Sequence, residues 1–221
     1  MKRILALLTA LVIMLAVTGC KKESPYADIP NPIATITLED GRQMRFELYV
    51  GKAPNTVANF VSLANTGYYD GMPFYRVLPG CFIQSGDAIG DGTGTPGYSI
   101  MGEFTANGFE GNDISHMRGA ISMARLEDYD SAGSQFFILQ GSYPEYDGKY
   151  AAFGKAMDAE TLDVIDSVAS VHVDVHQRPL EPVYIETIRV DTRGYDYTPV
   201  VIEEEKEEPD EEEESEEGSN G

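Results

Sequence analysis

Between Ile33 and Val190 the apolar residues come in short runs that alternate with polar ones, and glycine-bearing turns separate many of these runs. Apolar residues at every second position suit a strand with one buried face and misplace half the stripe on a helix. Ile33 to Leu38 alternates, Glu39-Asp40-Gly41 signals a turn, and Met44 to Val50 alternates again, which predicts a hairpin. Further strands are expected at Phe74 to Leu78, Cys81 to Gln84, Gly119 to Ala124, Gln135 to Leu139, Ala151 to Ala156 and Val183 to Val190. Two stretches have the other period. Pro54 to Ala64 carries Val57, Phe60, Val61 and Ala64 at helical spacing, with Gly67 placed to end the helix. Ala159 to Val168 sets Leu162, Ile165 and Val168 on one face. Many short strands with glycine turns and two helices predict a mainly β fold, an antiparallel sheet closed into a barrel.

The ends of the chain obey different rules. Lys2 and Arg3 precede an apolar run from Ile4 to Val17, followed by Thr18-Gly19-Cys20. A basic start, an apolar stretch and small residues before a cut describe an export signal. The run is short for a bilayer core, which needs about 20 helical residues. Cysteine directly after Thr18-Gly19 resembles a bacterial lipobox, so Cys20 is expected to be lipidated and to head the mature chain. Several acyl chains at about 0.8 kcal/mol per buried methylene hold a protein at a membrane where one chain does not. The polar stretch after Cys20 reads as a tether, with a reach of at most about 3.3–3.6 Å per residue. The other end is almost pure acid: twelve Asp or Glu against one Lys from Glu203 to Glu217, a charge of −11 out of −21 for the chain. Such a block has nothing to bury and is expected to be disordered. The organisation expected is therefore a signal peptide (1–19), a lipidated cysteine and tether (20–30), a folded domain (31–192) and an acidic tail (193–221), on the extracytoplasmic face of the cell membrane.

Composition narrows the function. The acidic balance leaves no basic surface to displace phosphate counterions, so nucleic acid is not an expected partner. Two cysteines, Cys20 and Cys81, make no disulfide framework. Gly90 to Gly97 is glycine-rich, but no lysine follows and no helix opens there, so it is no phosphate loop. Ser122 and Ser134 lack a partner pattern for nucleophilic chemistry, and His116 lies in a polar stretch with a structural role at most. His172, Asp174 and His176 would share one face of a strand, as metal ligands can; a solvated edge before Pro179 is the reading preferred. No metal and no cofactor are expected.

The remaining candidates come as an ordered set: Phe74-Tyr75-Arg76-Val77-Leu78-Pro79-Gly80, Ile83-Gln84-Ser85-Gly86-Asp87, Ser122-Met123-Ala124-Arg125, Gly133-Ser134-Gln135-Phe136-Phe137-Ile138, Asp147-Gly148-Lys149-Tyr150 and Phe153-Gly154-Lys155. In order and spacing these resemble the cyclophilin family of peptidyl-prolyl isomerases, in its bacterial branch, from about Asn31 to Val190. The resemblance implies an eight-stranded antiparallel barrel capped by two α-helices, in agreement with the strand and helix reading.

An X–Pro bond rotates over a barrier of about 18–20 kcal/mol set by amide resonance, so catalysis needs a group that favours the twisted amide over the planar one. As the bond turns, the proline nitrogen regains a lone pair and accepts a hydrogen bond; an always-charged guanidinium suits that task. By resemblance that group is Arg76. Gln84 matches the glutamine that positions the arginine and the substrate backbone, and Phe137 matches the floor of the proline pocket. Phe136, its neighbour, is expected to point into the core. Ala124, Arg125 and Gln135 match the stretch that holds the substrate backbone, position 125 chiefly through its main chain, and Tyr146 and Tyr150 complete the binding wall. The departures lie in that wall. Cys81-Phe82 stands where the family has Phe-Met, an exchange that can conserve volume by repacking or reshape the slot. Tyr146 stands where leucine is common, Tyr150 where many eukaryotic members have histidine, and the chain has no Trp, so tight cyclosporin binding is not expected.

The expectation is an isomerase acting, as a monomer, on proline-containing segments of exported or unfolded proteins at the membrane surface. A proline-segment binding module without rate enhancement and an adaptor working through the acidic tail or the 172–176 edge are the other two readings.

Overall fold

The structure, a computed structural model, describes residues 29–203. The signal peptide, Cys20 and most of the tether, and the tail from 204 onward, lie outside the described residues.

The predicted hairpin forms from β1 (Ile33–Leu38) and β2 (Gln43–Leu48), with Ile36 opposite Met44 and Ala34 opposite Phe46. Every second residue of both strands is buried, as the period requires. After α1 (Pro54–Asn65) come β3 (Arg76–Leu78), β4 (Phe82–Ser85), a two-residue β5 (Tyr98–Ser99), β6 (Ala120–Met123), β7 (Phe136–Leu139), β8 (Ala152–Ala156), α2 (Ala159–Ala169), β9 (Ile185–Asp191) and a short β10 (Ile202–Glu203). Eight strands build one antiparallel sheet in the order β3-β4-β7-β6-β8-β2-β1-β9. Phe46, Phe60, Phe136, Phe153, Ile83 and Ile138 fill its main core, so Phe136 points inward as expected.

The expected closed barrel is corrected to a curled, open sheet. Its end strands, β3 and β9, do not pair with each other. They approach through the residues just before β3 and those around the start of β9, where Gly71 N–H donates to Ile185 O, Ile185 N–H to Met72 O and Phe74 N–H to Val183 O, around a single bridge between Pro73 and Tyr184. Pro73 has no N–H to continue a ladder. The outer edge of β3 is taken instead by the loop at 173–179, where Val77 N–H donates to Gln177 O at 2.8 Å.

Two side chains secure the helices. Asp158 caps α2, its Oδ1 accepting from Thr161 N–H at 2.8 Å. α1 begins at Pro54 with no side-chain cap of its own. The buried carboxylate of Glu103 serves instead, accepting from the N–H of Asn55 (3.0 Å), the N–H of Thr56 (2.8 Å) and Thr56 Oγ1 (2.7 Å). A negative charge at a helix N-terminus meets both the exposed donors and the dipole there; burial still pushes its pKa above the usual carboxylate range.

Residues 193–203, assigned to the tail from composition, run back over the domain. Tyr197 joins the core, Asn55 and Val200 exchange hydrogen bonds at 2.7 and 2.9 Å, and β10 pairs with β5. No helix among the described residues is long and apolar enough to cross a membrane.

Candidate active site

Strand register gathers the predicted residues. Arg76 on β3 lies opposite Gln84 on β4, and Gln84 lies opposite Phe137 on β7, which in turn faces Ser122 on β6. Directly opposed residues in an antiparallel sheet project to the same side. Arg76, Gln84 and Phe137 therefore form a row across three strands, on the face turned away from Ile83, Phe136 and Ile138. A second hydrophobic cluster covers that outer face: Cys81, Phe82, Ala120, Phe137 and Leu139, with Tyr143, Tyr146 and Tyr150 packed against it.

This cluster is the apolar floor. Phe82 and Phe137 have ring centroids 5.5 Å apart, and the Arg76 guanidinium carbon sits 5.1 Å from the Phe82 ring. Tyr150 meets Phe137 edge-on at 5.7 Å, and Tyr146 does so at 6.1 Å. Cys81 is a buried free thiol among these rings. Tyr146 has its phenol pushed up to about 12, by burial first and then by its neighbour Cys81, so it acts here as a neutral ring. The exchange that set Cys81-Phe82 apart in the sequence thus leaves the floor aromatic, with Phe82 under the guanidinium.

Beside the floor runs a groove of about 940 Å³, bordered by Arg76 and Gln84 and walled by the glycine loop 91–95 and the loop 124–135. Three polar side chains are knitted into its base. Gln84 Nε2 donates to the Tyr75 hydroxyl at 2.5 Å and to Gln135 Oε1 at 3.2 Å, and the Tyr75 hydroxyl donates to Gln135 Oε1 at 2.5 Å. Gln135 Nε2 then donates to the carbonyls of Gly92 and Gly94, each at 3.0 Å. Burial, and next the charge of Asp87, push the Tyr75 phenol up to about 12, which keeps it a neutral link. Asp87 ties the glycine loop from inside, accepting from the N–H groups of Ile89 and Gly92. A Cβ at Gly94 would stand 1.9 Å from Asp87 Oδ1, so the loop closes only around glycine there.

Ala124 N–H donates to Gln135 O at 2.9 Å, which closes the 124–135 loop at its base. The Arg125 side chain is fully engaged: Nε and Nη2 donate to Lys149 O, Nη1 donates to the carbonyls of Leu126 and Glu127, and the guanidinium lies 4.7–5.3 Å from the rings of Phe104, Tyr129 and Tyr150. It pins the 124–131 loop to the far wall.

The structure also brings in residues that the sequence reading did not place there. Gln84 sits across from Arg76, but the side chain that hydrogen-bonds the guanidinium is Gln177, whose Oε1 accepts from Arg76 Nε at 2.8 Å. His116 lies buried behind the floor, with Nδ1 2.9 Å from Asp147 Oδ1, Nε2 3.0 Å from Ser122 Oγ, and its ring stacked on Phe137 at 6.2 Å. Burial lowers its pKa, against the hydrogen bond and charge of Asp147, so the neutral ring is favoured. Ser122 is fully buried and Ser134 donates to Gly86 O, so neither presents a nucleophile. His172, Asp174 and His176 do not line up on a strand: they lie in a tight loop where Asp174 Oδ1 accepts from the N–H groups of His176 and Arg178. No group of three His, Cys, Asp or Glu among the described residues is placed to hold a metal.

Residues 33–190 match the family model described as cyclophilin type peptidyl-prolyl cis-trans isomerase/CLD. Peptidyl-prolyl cis-trans isomerase B of Bacillus subtilis is 50% identical over 118 residues, covering 53% of this chain and 78% of its own length. A peptidyl-prolyl cis-trans isomerase of Synechococcus elongatus is 43% identical over 125 residues, covering 57% of this chain and 81% of the relative. Among solved structures, a cyclophilin type isomerase of Cryptosporidium parvum, crystallised in the presence of the dipeptide Ala-Pro, superposes with a TM-score of 0.63 at 29% identity, over 72% of this chain and 99% of that one.

Proposed function

The chain belongs to the cyclophilin-type peptidyl-prolyl cis-trans isomerases, and we propose that it catalyses X–Pro rotation in exported chains at a membrane surface, with Arg76 as the catalytic group. One observation carries the assignment of the site: Arg76, Gln84 and Phe137 stand in one cross-strand row, a cation and an amide beside an aromatic floor. The proline ring of a peptide seats on Phe137 and Phe82. Gln84, Gln135 and the Ala124–Arg125 backbone hold the flanking peptide, as the groove beside the floor allows. Arg76 then donates to the proline nitrogen as its lone pair localises, an interaction available only to the twisted amide, which is the condition for raising the rate rather than binding alone. No proton leaves the substrate and no covalent bond forms or breaks. The solved relative crystallised with Ala-Pro supports proline-containing segments as the ligand class.

Attachment to the membrane through a lipidated Cys20, on the extracytoplasmic face, rests on the lipobox-like stretch alone. Slow proline isomerisation limits folding outside the cytoplasm as it does inside and needs no ATP, so the location is chemically sensible.

Two measurements test the proposal on the full chain. In a peptide isomerisation assay Arg76→Ala is expected to lower kcat/KM about 10²–10³-fold, the usual cost of removing one transition-state donor, while peptide binding persists. Unchanged turnover would move catalysis away from Arg76. Mass spectrometry of the mature N-terminus is expected to find acylated Cys20; an unmodified cysteine or a different cleavage point would remove the anchor.

A further inference from the structure

The loop at 173–179 has no role in the reading above, and its construction is unusual. Asp174 N–H donates to Arg178 O at 2.9 Å, Gln177 N–H donates to Asp174 O at 3.0 Å, and Val173 bridges Pro179, so Val175, His176 and Gln177 form a three-residue hairpin loop. The Asp174 carboxylate holds it from within at 2.8 and 2.9 Å. In such loops the third residue takes the left-handed conformation, where glycine is the residue without steric cost. Here it is Gln177, with φ of +66°, one of two non-glycine residues with positive φ among the described residues.

That strained glutamine makes two contacts with β3. Its carbonyl accepts from Val77 N–H at 2.8 Å and its side-chain oxygen accepts from Arg76 Nε at 2.8 Å. The first fixes the strand edge on which Arg76 rides. The second occupies the inner donor of the guanidinium and sets the plane of the fork, leaving the Nη groups as donors for a ligand. With Phe82 5.1 Å from the guanidinium carbon, the head group is held by a hydrogen bond and by a ring face. A long arginine side chain loses much rotamer freedom when it is ordered, and holding it ready in the free protein removes that cost from the catalytic step. Glycine at 177 would relieve the backbone but supply no acceptor.

We propose that Gln177 is the positioning residue of this site, its left-handed backbone retained because its amide aims Arg76. The proposal rests on the assignment of Arg76 made above.

The experiment compares Arg76→Ala, Gln177→Gly and Gln177→Glu in the full chain by isomerisation kinetics, peptide titration, thermal melting and the NMR signal of Arg76 Nε–H. Gln177→Gly is expected to melt no lower than the native chain, to bind peptide with unchanged affinity, to lose about tenfold in kcat, and to lose the slowly exchanging Nε–H signal. Gln177→Glu keeps an acceptor oxygen at that reach and is expected to stay within about threefold of the native kcat. Gln177→Gly with native kcat beside an inactive Arg76→Ala overturns the role of Gln177 alone. A loss in Gln177→Gly that Gln177→Glu does not recover overturns it too. A fully active Arg76→Ala removes the assignment on which it rests.

Discussion

Replacing Tyr75 by Phe deletes one oxygen from the base of the groove and leaves the ring, which is mostly buried, in place. That oxygen accepts from Gln84 Nε2 and donates to Gln135 Oε1, both at 2.5 Å. Two neutral hydrogen bonds at about 0.5–1.5 kcal/mol each set the range of the loss at about 1–3 kcal/mol. The lower part of that range applies, because Gln84 Nε2 and Gln135 Oε1 already lie 3.2 Å apart and pair directly once the hydroxyl is gone, so neither is orphaned. About 1 kcal/mol corresponds to a fall in Tm of about 2–4 °C for a chain of this size. Activity is expected to fall further than stability. The hydroxyl spaces the two amides on either side of the groove base, and their collapse onto each other moves both by a fraction of an ångström at the place proposed above for the substrate backbone. A protease-free peptide isomerisation assay of the full chain is expected to show kcat/KM down about tenfold, with the Tm shift above measured by calorimetry. Native kcat/KM in Tyr75→Phe would mean that the two amides do not hold the substrate at the groove base.

Three further outcomes are expected. His116→Gln removes a buried group whose folded pKa lies below its ordinary 6.5, chiefly through burial; since a depressed histidine contributes stability above about 6.5 that is lost as the pH falls through the folded value, the native chain should lose Tm on acidification and the variant should lose less, measured by melting between pH 7.5 and 5. An equal acid sensitivity in both would place the titration elsewhere. Glu103→Ala strips the acceptor from two backbone N–H groups and one hydroxyl at the start of α1, and should destabilise by about 3 kcal/mol in urea melts; a loss under 1 kcal/mol would mean water replaces the carboxylate. Cys81→Phe restores the residue common in the family but forces a ring into a site already closed by Phe82, Phe137, Tyr143 and Tyr146, so a loss of about 1–3 kcal/mol is expected, and a more stable variant would show that the floor has room to spare.

Local pattern was sufficient for the elements and not for their closure. The hairpin at Ile33 to Val50 and both helices follow from periods of two and 3.6 residues together with glycine and proline punctuation, which act within a few residues. The open seam followed from Pro73 at the bridge and from the 173–179 loop competing for the edge of β3, two features whose meaning depends on what lies across from them. Composition likewise misplaced the start of the tail: 193–203 looks polar and proline-containing, yet Tyr197 and the Asn55–Val200 pair dock it. The candidate site divides in the same way. The family resemblance pointed to Arg76, Gln84 and Phe137, and register set them side by side.

What the sequence determined alone was the strand-and-helix grammar, because it depends on neighbours along the chain; the groups proposed to favour a twisted amide came from the resemblance of its ordered motifs to a family. Tertiary structure decided which groups act on one another. Glu103 caps a helix 47 residues before it, His116 reaches Asp147 31 residues on, and Gln177 meets Arg76 across 101 residues. A hydrogen bond is satisfied by any donor and acceptor that folding brings within about 3 Å, and no local period records which distant pair that will be. Gln177 left a trace only in hindsight: a glutamine where a turn favours glycine.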